Sequence, residues 1–121
     1  MNKREQGALY EEYAVKFLQE HGYTLVTKNY FTKYGEIDLI VKKENLVVFV
    51  EVKQRTTDFF GRGEQAINYT KRKRMYFSAR EFLFKNRYLE CDMRFDAVVF
   101  NGRSTKPEWI KNIIWGDEFG F

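Results

Sequence analysis

Two acidic residues, Asp38 and Glu51, stand thirteen positions apart in segments that are typical of neighbouring β-strands. Residues 46–52 are rich in β-branched and aromatic side chains, and the polar stretch Lys43-Glu44-Asn45 precedes them. A two-residue turn at Glu44-Asn45 closes a hairpin in which Asp38 faces Glu51. Two carboxylates that meet in this way are ligands with which a protein can hold a divalent cation.

The same register predicts the neighbours of this pair. Side chains alternate between the faces of a strand, so Lys53 shares a face with Glu51. Glu36 then faces Lys53, and Ile40 faces Phe49. Opposed carboxylates repel, and a bound cation, a shared proton or a lysine drawn between them would each offset the repulsion. A slip of one residue would send the two carboxylates to opposite faces and remove the site.

Carboxylates next to an ammonium group match what hydrolysis of a phosphodiester requires. A divalent ion between Asp38 and Glu51 can lower the pKa of a bound water and polarise a phosphoryl oxygen. Lys53 can orient the water or stabilise the charge that grows on the phosphate. The backbone carbonyl of Val52 is a further oxygen ligand for a hard cation. The pattern therefore predicts nuclease-type chemistry.

Composition limits both the fold and the metal. The chain has 121 residues, 44% hydrophobic and 18% aromatic, which predicts one domain over residues 1–121 with a substantial core. One cysteine and one histidine exclude a Cys/His zinc site. The expected cofactor is therefore Mg²⁺ or Mn²⁺ held by carboxylates. A formal net charge of +4 favours a nucleic-acid partner only slightly.

The sequence also predicts where the protein works. The longest apolar run, residues 46–50, is far too short to span a membrane. The first residues lack the apolar stretch of a secretory signal, and the lone Cys91 suits a reducing compartment. We expect a cytoplasmic protein with no membrane association.

Periodicity predicts an α/β protein with elements in the order α-β-β-β-α-β-β, a mixed sheet covered by two helices. The predicted elements are a helix over 6–21, a strand over 23–31, the hairpin, a loop over 56–63, a helix over 64–84, and strands over 93–101 and 109–115. Asp96, between Phe95 and Ala97 at the start of a strand, is predicted to be a buried hydrogen-bond anchor rather than a ligand.

The first helix supplies another candidate ligand. Its apolar stripe is centred between Tyr13 and Phe17. Glu12 falls almost opposite that centre, in solvent, whereas Glu11 falls on the border of the stripe and can join Asp38 and Glu51. The alternative is that Glu11 interacts only with the helix dipole.

Basic residues are the candidates for contacting a nucleic acid. The run Lys71-Arg72-Lys73-Arg74 covers a full helical turn, so Lys71 faces inward and Lys73 points away. Lys71, Arg55 and Arg62 are predicted to steer the phosphate backbone. The alternative is a solvated helix face.

Several short segments occur in one order and together carry a family resemblance. They are Gly7 with Glu11, Gly35-Glu36-Ile37-Asp38-Leu39-Ile40, Phe49-Val50-Glu51-Val52-Lys53-Gln54-Arg55, Phe60-Gly61 and Arg94-Phe95-Asp96. The chain resembles the YraN family of small bacterial proteins from about Gly7 to Phe100. The resemblance implies the restriction-endonuclease-like fold of the PD-(D/E)xK superfamily, similar to archaeal Holliday-junction resolvases.

The resemblance also assigns roles residue by residue. Asp38 and Glu51 resemble the two acidic metal ligands of the superfamily, and Lys53 resembles its catalytic lysine. Glu11 resembles the glutamate of the N-terminal helix in resolvase-like members. Gln65 and Tyr69 match a glutamine-tyrosine motif placed near the substrate, but by two residues only, and a structural role is the alternative.

The implied function is a Mg²⁺- or Mn²⁺-dependent nuclease-like protein that hydrolyses phosphodiester bonds in nucleic acid. Branched or single-stranded DNA is the substrate by analogy with resolvases, which act as dimers, so a homodimer is also implied. One alternative is a non-catalytic nucleic-acid-binding protein that retains the nuclease fold. Another is an interaction module in which the acids and lysine form a structural ion-pair cluster.

Overall fold

Two helices and five strands make up the part of the chain that the computed structural model describes, residues 1–55, 67–114 and 118–119. The elements are α1 (Lys3–Glu20), β1 (Thr24–Thr32), β2 (Gly35–Lys43), β3 (Leu46–Arg55), α2 (Tyr69–Lys85), β4 (Asp92–Asn101) and β5 (Glu108–Ile110). The predicted order α-β-β-β-α-β-β is confirmed.

The strands form one mixed sheet in the order β1-β2-β3-β4-β5. Neighbours are antiparallel except β3 and β4, which run parallel. A parallel pair needs a long crossover, and α2 lies in the connection between β3 and β4. The predicted mixed α/β class is therefore confirmed.

The helices cover opposite faces of the sheet. Val47 and Phe49 of β3 pack in a core with residues of α2, whereas Val48 and Val50 pack in a second core with residues of α1. Strand side chains alternate between faces, so this division places one helix on each face. The central strands are buried on both sides, as their nearly continuous apolar sequence predicts.

The β2–β3 hairpin has the predicted register over its first five pairs, from Lys43 opposite Leu46 to Leu39 opposite Val50. The turn conformation differs in detail from the expectation. Positive φ falls on Glu44, at 53°, and not on Asn45. The two-residue loop length nevertheless sets the register.

Helix α1 begins earlier than predicted because Asn2 caps it. Asn2 Oδ1 accepts a hydrogen bond of 2.8 Å from Glu5 N, and its amide donates to the Glu5 carboxylate at 3.2 Å. The first bond satisfies one of the free N–H groups of the first helical turn, and the second is a side-chain contact between the same two residues. At the other end Gly22 adopts φ 90°, and Tyr23 N donates to the Leu18 carbonyl at 3.1 Å, as expected for a glycine-terminated helix.

Helix α2 and strand β5 are shorter than predicted within the described residues. Ile67 and Asn68 precede α2, and Asn68 caps it by accepting a 2.8 Å hydrogen bond from Lys71 N. Strand β5 ends at Ile110 because Asn112 takes φ 60°, which breaks an extended strand. The predicted loop over 56–63, the predicted helical residues 64–66 and residue 115 lie outside the described residues.

Asp96 is confirmed as a buried hydrogen-bond anchor. Its carboxylate is fully buried and pairs with Arg94 through hydrogen bonds of 2.8–3.1 Å. It also accepts from Trp109 Nε1 at 3.0 Å and from Asn112 N at 3.2 Å. These bonds tie β5 and the segment after it to β4.

Within the described residues, neither helix combines the length and apolar character needed to cross a bilayer. The structure therefore contains no helical membrane span in those parts of the chain.

Candidate active site

Strand β2 separates from β3 directly after the pair of Leu39 and Val50. Beyond that pair, Val52 N donates a 2.9 Å hydrogen bond to Asp38 Oδ2, so a side chain replaces the backbone ladder. The predicted direct pairs, Asp38 with Glu51 and Glu36 with Lys53, are therefore not formed as ladder pairs. The carboxylate of Asp38 instead fills the gap between the separating strands.

A local bend in β1 and β2 explains this change. Ile37 and Ile40 both pack in the core on the α2 side. Strict alternation would send residues three positions apart to opposite faces. In β1, Asn29 takes φ 53°, between the pairs that its neighbours make with β2. The irregularity turns Asp38 toward β3.

The backbone of Val52 faces the same gap. The N–H and carbonyl of one strand residue point to the same side of the strand. Because the Val52 N–H points at Asp38, its carbonyl is directed toward the gap as well. The role of this carbonyl as a metal ligand stays a prediction.

Glu51 is the most deeply buried acid of the site, with only 2% of its surface exposed. Lys71 Nζ pairs with its Oε1. Its Oε2 is buried and receives no hydrogen bond from any described residue. Burial, followed by repulsion from Asp38, raises the pKa of Glu51 to about 8.

Asp38 is half-buried and lies beside Glu51. Burial raises its pKa above the ordinary value, while the hydrogen bond from Val52 N and the charge of Lys71 act in the opposite direction. The predicted convergence of the two carboxylates thus occurs, although through a side-chain contact with the backbone and not through direct strand pairing.

A second set of acids surrounds Asp38. Glu11, Glu36 and Asp38 each offer a carboxylate oxygen, and these three atoms lie within 4.8 Å of one another. The amide of Asn29 donates to Glu36 at 2.8 Å and to Glu11 at 3.3 Å. Burial, then the charge of Asp38, raises the pKa of both glutamates. The structure therefore brings Glu11 to Asp38, as predicted, and Glu12 is exposed.

Glu36 is the residue that the sequence interpretation missed. We expected its carboxylate opposite Lys53, whereas it lies with Glu11 and Asp38. The available signal was the spacing of two positions between Glu36 and Asp38, although the bend between Ile37 and Ile40 interrupts simple alternation here.

Two adjoining cavities meet at the acids. The larger, of about 520 Å³, is lined by Lys3, Gln6, Gly7, Tyr10, Glu11, Asp38, Glu51, Val52, Lys53, Gln54 and Lys71. The smaller, of about 240 Å³, is lined by Gly35, Glu36, Asp38, Glu51, Lys71 and Arg74. Three residues, Asp38, Glu51 and Lys71, line both. The acids are thus reachable from two sides.

The two lysines of the site differ in their contacts. Lys53 lines the larger cavity, on the same strand as Glu51. Lys71 faces inward from α2, as predicted, but it pairs with Glu51, a carboxylate and not a phosphate. Lys73 is exposed, as predicted. Of the three ways to offset the repulsion of the acids, the structure shows a lysine paired with one of them, Glu51. The carboxylates of Asp38 and Glu51 also lie within hydrogen-bond reach of each other, where they can share a proton.

The remaining described candidates for contacting nucleic acid, Arg55 and Tyr69, do not line the two cavities at the acids. Arg55 has a side chain only 13% exposed and pairs with Glu108 at 3.8 Å, so its guanidinium is directed at β5. Tyr69 is exposed at the start of α2, with its ring 5.3 Å from that of Phe119. Arg62 and Gln65 lie outside the described residues.

The donor set fits a hard divalent cation. Carboxylate and carbonyl oxygens are the ligands that Mg²⁺ and Mn²⁺ prefer. The buried Oε2 of Glu51 without a donor among the described residues is an acceptor suited to such an ion. Asp38, Glu51, the Val52 carbonyl and Glu11 are the predicted ligands, and Glu36 is close enough to join them.

Comparison with known proteins places these residues in a family. The family model described as "Uncharacterised protein family UPF0102" matches residues 10–100, which include the acids, both lysines and the separating strands. The chain belongs to the UPF0102 family. This confirms the resemblance to the YraN proteins.

Individual UPF0102 proteins are similar over most of their length. A UPF0102 protein of Fusobacterium nucleatum is 39% identical over 121 residues, covering 100% of both chains. One of Sulfurihydrogenibium is 42% identical over 102 residues, covering 84% of this chain and 89% of the relative. One of Neisseria gonorrhoeae is 43% identical over 108 residues, covering 89% and 93%. None of these three names states an activity, so the function must be argued from the site.

Proposed function

We propose that this protein is a Mg²⁺- or Mn²⁺-dependent nuclease-like enzyme that hydrolyses phosphodiester bonds in nucleic acid, with the endonuclease-like fold that the YraN resemblance implies. The observation that supports it best is the convergence of Asp38 and Glu51 where β2 leaves β3. Glu51 is almost fully buried there, with one oxygen lacking a donor among the described residues. Burying a carboxylate is costly unless a cation balances it.

The residues that would hold the ion are Asp38, Glu51, the Val52 carbonyl and Glu11. When bound, a divalent ion supplies Lewis-acid polarisation of a phosphoryl oxygen and a lower pKa for the attacking water. Asp38 is held in place for this role by the Val52 N–H. Its orientation is therefore fixed before any ligand arrives.

Lys53 supplies the catalytic cation of the proposal. It lines the larger cavity together with Glu51 and Asp38, so its ammonium can reach a phosphate bound there. A positive charge at this position stabilises the negative charge that grows on the phosphate, or orients the attacking water. Gln6 and Gln54, joined by a 3.0 Å hydrogen bond, add polar groups to the same wall.

Nucleic acid is the proposed substrate, with branched or single-stranded DNA favoured by the similarity to resolvases. The net charge of +4 and the lysines around the cavity support a polyanion. Action as a homodimer is part of the same analogy, whereas the cytoplasm is proposed because the lone Cys91 suits a reducing compartment. Sedimentation equilibrium tests the dimer, since a monomeric mass over micromolar concentrations would refute it.

A non-catalytic nucleic-acid-binding protein with the same fold is the second candidate. The ion pair of Lys71 and Glu51 supports it, because this pair partly neutralises the acids without a metal. The same pair would also suit a purely structural ion-pair cluster in an interaction module.

One assay separates these functions. Labelled duplex, single-stranded, flapped and four-way-junction DNA is incubated with the protein and Mn²⁺, or with chelator. Cutting that requires Mn²⁺ and is lost in Lys53→Ala supports the enzyme. Binding without cutting by the wild-type protein supports the second candidate. Neither binding nor cutting, in a protein that circular dichroism shows to be folded, supports the structural cluster.

A further inference from the structure

Lys71 is held inside the acidic site by its position at the start of α2. Asn68 caps the helix through Lys71 N at 2.8 Å, which fixes the backbone from which the side chain extends. Its ammonium then pairs with Glu51 Oε1. The charges of Asp38 and Glu36 also act on it, so three acids of two strands surround one lysine.

This lysine shares a carboxylate with the proposed metal site. A divalent ion on the donor-free Glu51 Oε2 would lie on the same carboxylate as the ammonium on Oε1, and two cations that close together repel each other. The side chain of Lys71 is 45% exposed, whereas that of Glu51 is 3% exposed. The lysine is therefore the partner that can move.

The structure also provides space for that movement. Lys71 lines both cavities, and the smaller one, of about 240 Å³, extends toward Gly35 and Arg74. A lysine carries its charge on a flexible four-carbon chain, so the ammonium can change position without movement of the helix. In the smaller cavity it would lie with Arg74, near the site and available to a phosphate oxygen.

We propose that Lys71 is an internal counter-cation that occupies the carboxylate site until a divalent ion displaces it toward the cavity beside Arg74. This inference rests on the proposed metal site. It assigns to Lys71 two successive partners, Glu51 without the ion and substrate phosphate with it. Arrival of the ion would thus prepare the phosphate contact.

The wild-type protein provides the first test. Reductive dimethylation of lysines is followed by mass spectrometry, in chelator and with saturating Mn²⁺. We expect Lys71 to react severalfold faster with Mn²⁺, because its ammonium leaves the ion pair, whereas the exposed Lys73 on the same helix reacts equally in both. Equal or slower labelling of Lys71 in a protein that binds Mn²⁺ would overturn the inference.

Calorimetric titration of Mn²⁺ provides the second test, with Lys71→Met and the matched charge-removal control Lys73→Met. We expect Lys71→Met to bind Mn²⁺ about tenfold more tightly than Lys73→Met, a difference of about 1.4 kcal/mol. Binding no tighter than in the control overturns the role of Lys71 but leaves the metal site intact. Absence of binding in wild type and both variants overturns the metal site and this inference together. If Lys71→Met does not fold, the labelling experiment decides alone.

Discussion

At the scale of single residues, the site is defined by acids whose ionisation is made difficult. Glu11, Glu36, Asp38 and Glu51 all have pKa values raised above the ordinary range, with burial the largest cause for each. Carboxylates on a protein surface are stabilised by water and need no partner. Here the pKa of Glu51 rises to about 8 even though Lys71 is in contact with it. The single ammonium of Lys71 therefore does not offset the full cost of burying these carboxylates in their ionised form. A further positive charge would reduce that cost.

Substitution of an acid should weaken metal binding, whereas substitution of Lys53 should abolish cleavage without affecting metal binding. We expect Asp38→Asn to weaken Mn²⁺ binding by more than about a hundredfold, since losing even an outer contact of a metal ligand costs about 10–100-fold. Asparagine can still accept the Val52 hydrogen bond, so the fold should be preserved. Lys53→Ala should bind Mn²⁺ about as well as wild type and lose cleavage. Isothermal titration calorimetry measures both affinities.

The control for this comparison is Glu12→Gln. It removes an acid next to Glu11 but exposed on the outer side of α1. Its Mn²⁺ affinity should match wild type. Unchanged binding in Asp38→Asn would rule out the proposed ligand set.

At the scale of elements, the hairpin shows what could be predicted from the sequence and what could not. A short polar turn between apolar strands predicts the register, and the pairs from Lys43–Leu46 to Leu39–Val50 follow it. The end of the ladder depends on the bend at Asn29 in β1 and on the bond from Val52 N to the Asp38 side chain. Both arise from tertiary packing that no local pattern encodes.

Helix α2 is the element that brings Lys71 to the acids, and its start should control that position. We expect Asn68→Ala to lower the free energy of unfolding by about 1 kcal/mol, because it removes the side-chain acceptor of Lys71 N. Asn68→Ser retains a capping oxygen and should recover most of the loss. Urea denaturation of the three proteins, in chelator, measures the difference. Equal stability of the Ala and Ser variants would show that the cap contributes little.

At the scale of the whole molecule, composition and periodicity predicted the class, the order of elements and the inward direction of Lys71. They failed where partners come from distant elements. Arg55 pairs with Glu108 of β5, a partner that no local pattern indicates, and its contact with phosphate stays a prediction. Glu36 was predicted to face Lys53 across the hairpin, but its carboxylate lies beside that of Glu11 from α1. Charges can be located on faces from sequence, whereas their pairing requires the packed structure.

The clustered acids of the site should make the metal-free protein less stable as pH rises. The pKa of Glu51 goes from its ordinary value of 4.5 to about 8 on folding. Between these values the native state holds more protons than the unfolded chain, so the free energy of unfolding falls with increasing pH. Asp38, Glu11 and Glu36 contribute with the same sign because their pKa values are also raised. The raised pKa of Lys71 adds a stabilisation that is constant below its ordinary value of 10.5.

Urea denaturation in chelator at pH 5 and pH 8 measures this effect, and Glu51→Gln isolates the contribution of the buried acid. We expect wild type to lose more stability than Glu51→Gln between the two pH values, since glutamine does not ionise. Saturating Mn²⁺ should stabilise wild type more at pH 8 than at pH 5, because ligand carboxylates must be deprotonated to bind a metal. The same pH dependence in wild type and Glu51→Gln would mean that Glu51 ionises as readily in the native state as in the unfolded chain. The burial of Glu51 would then not favour metal binding, and the physical basis for placing the ion between β2 and β3 would be lost.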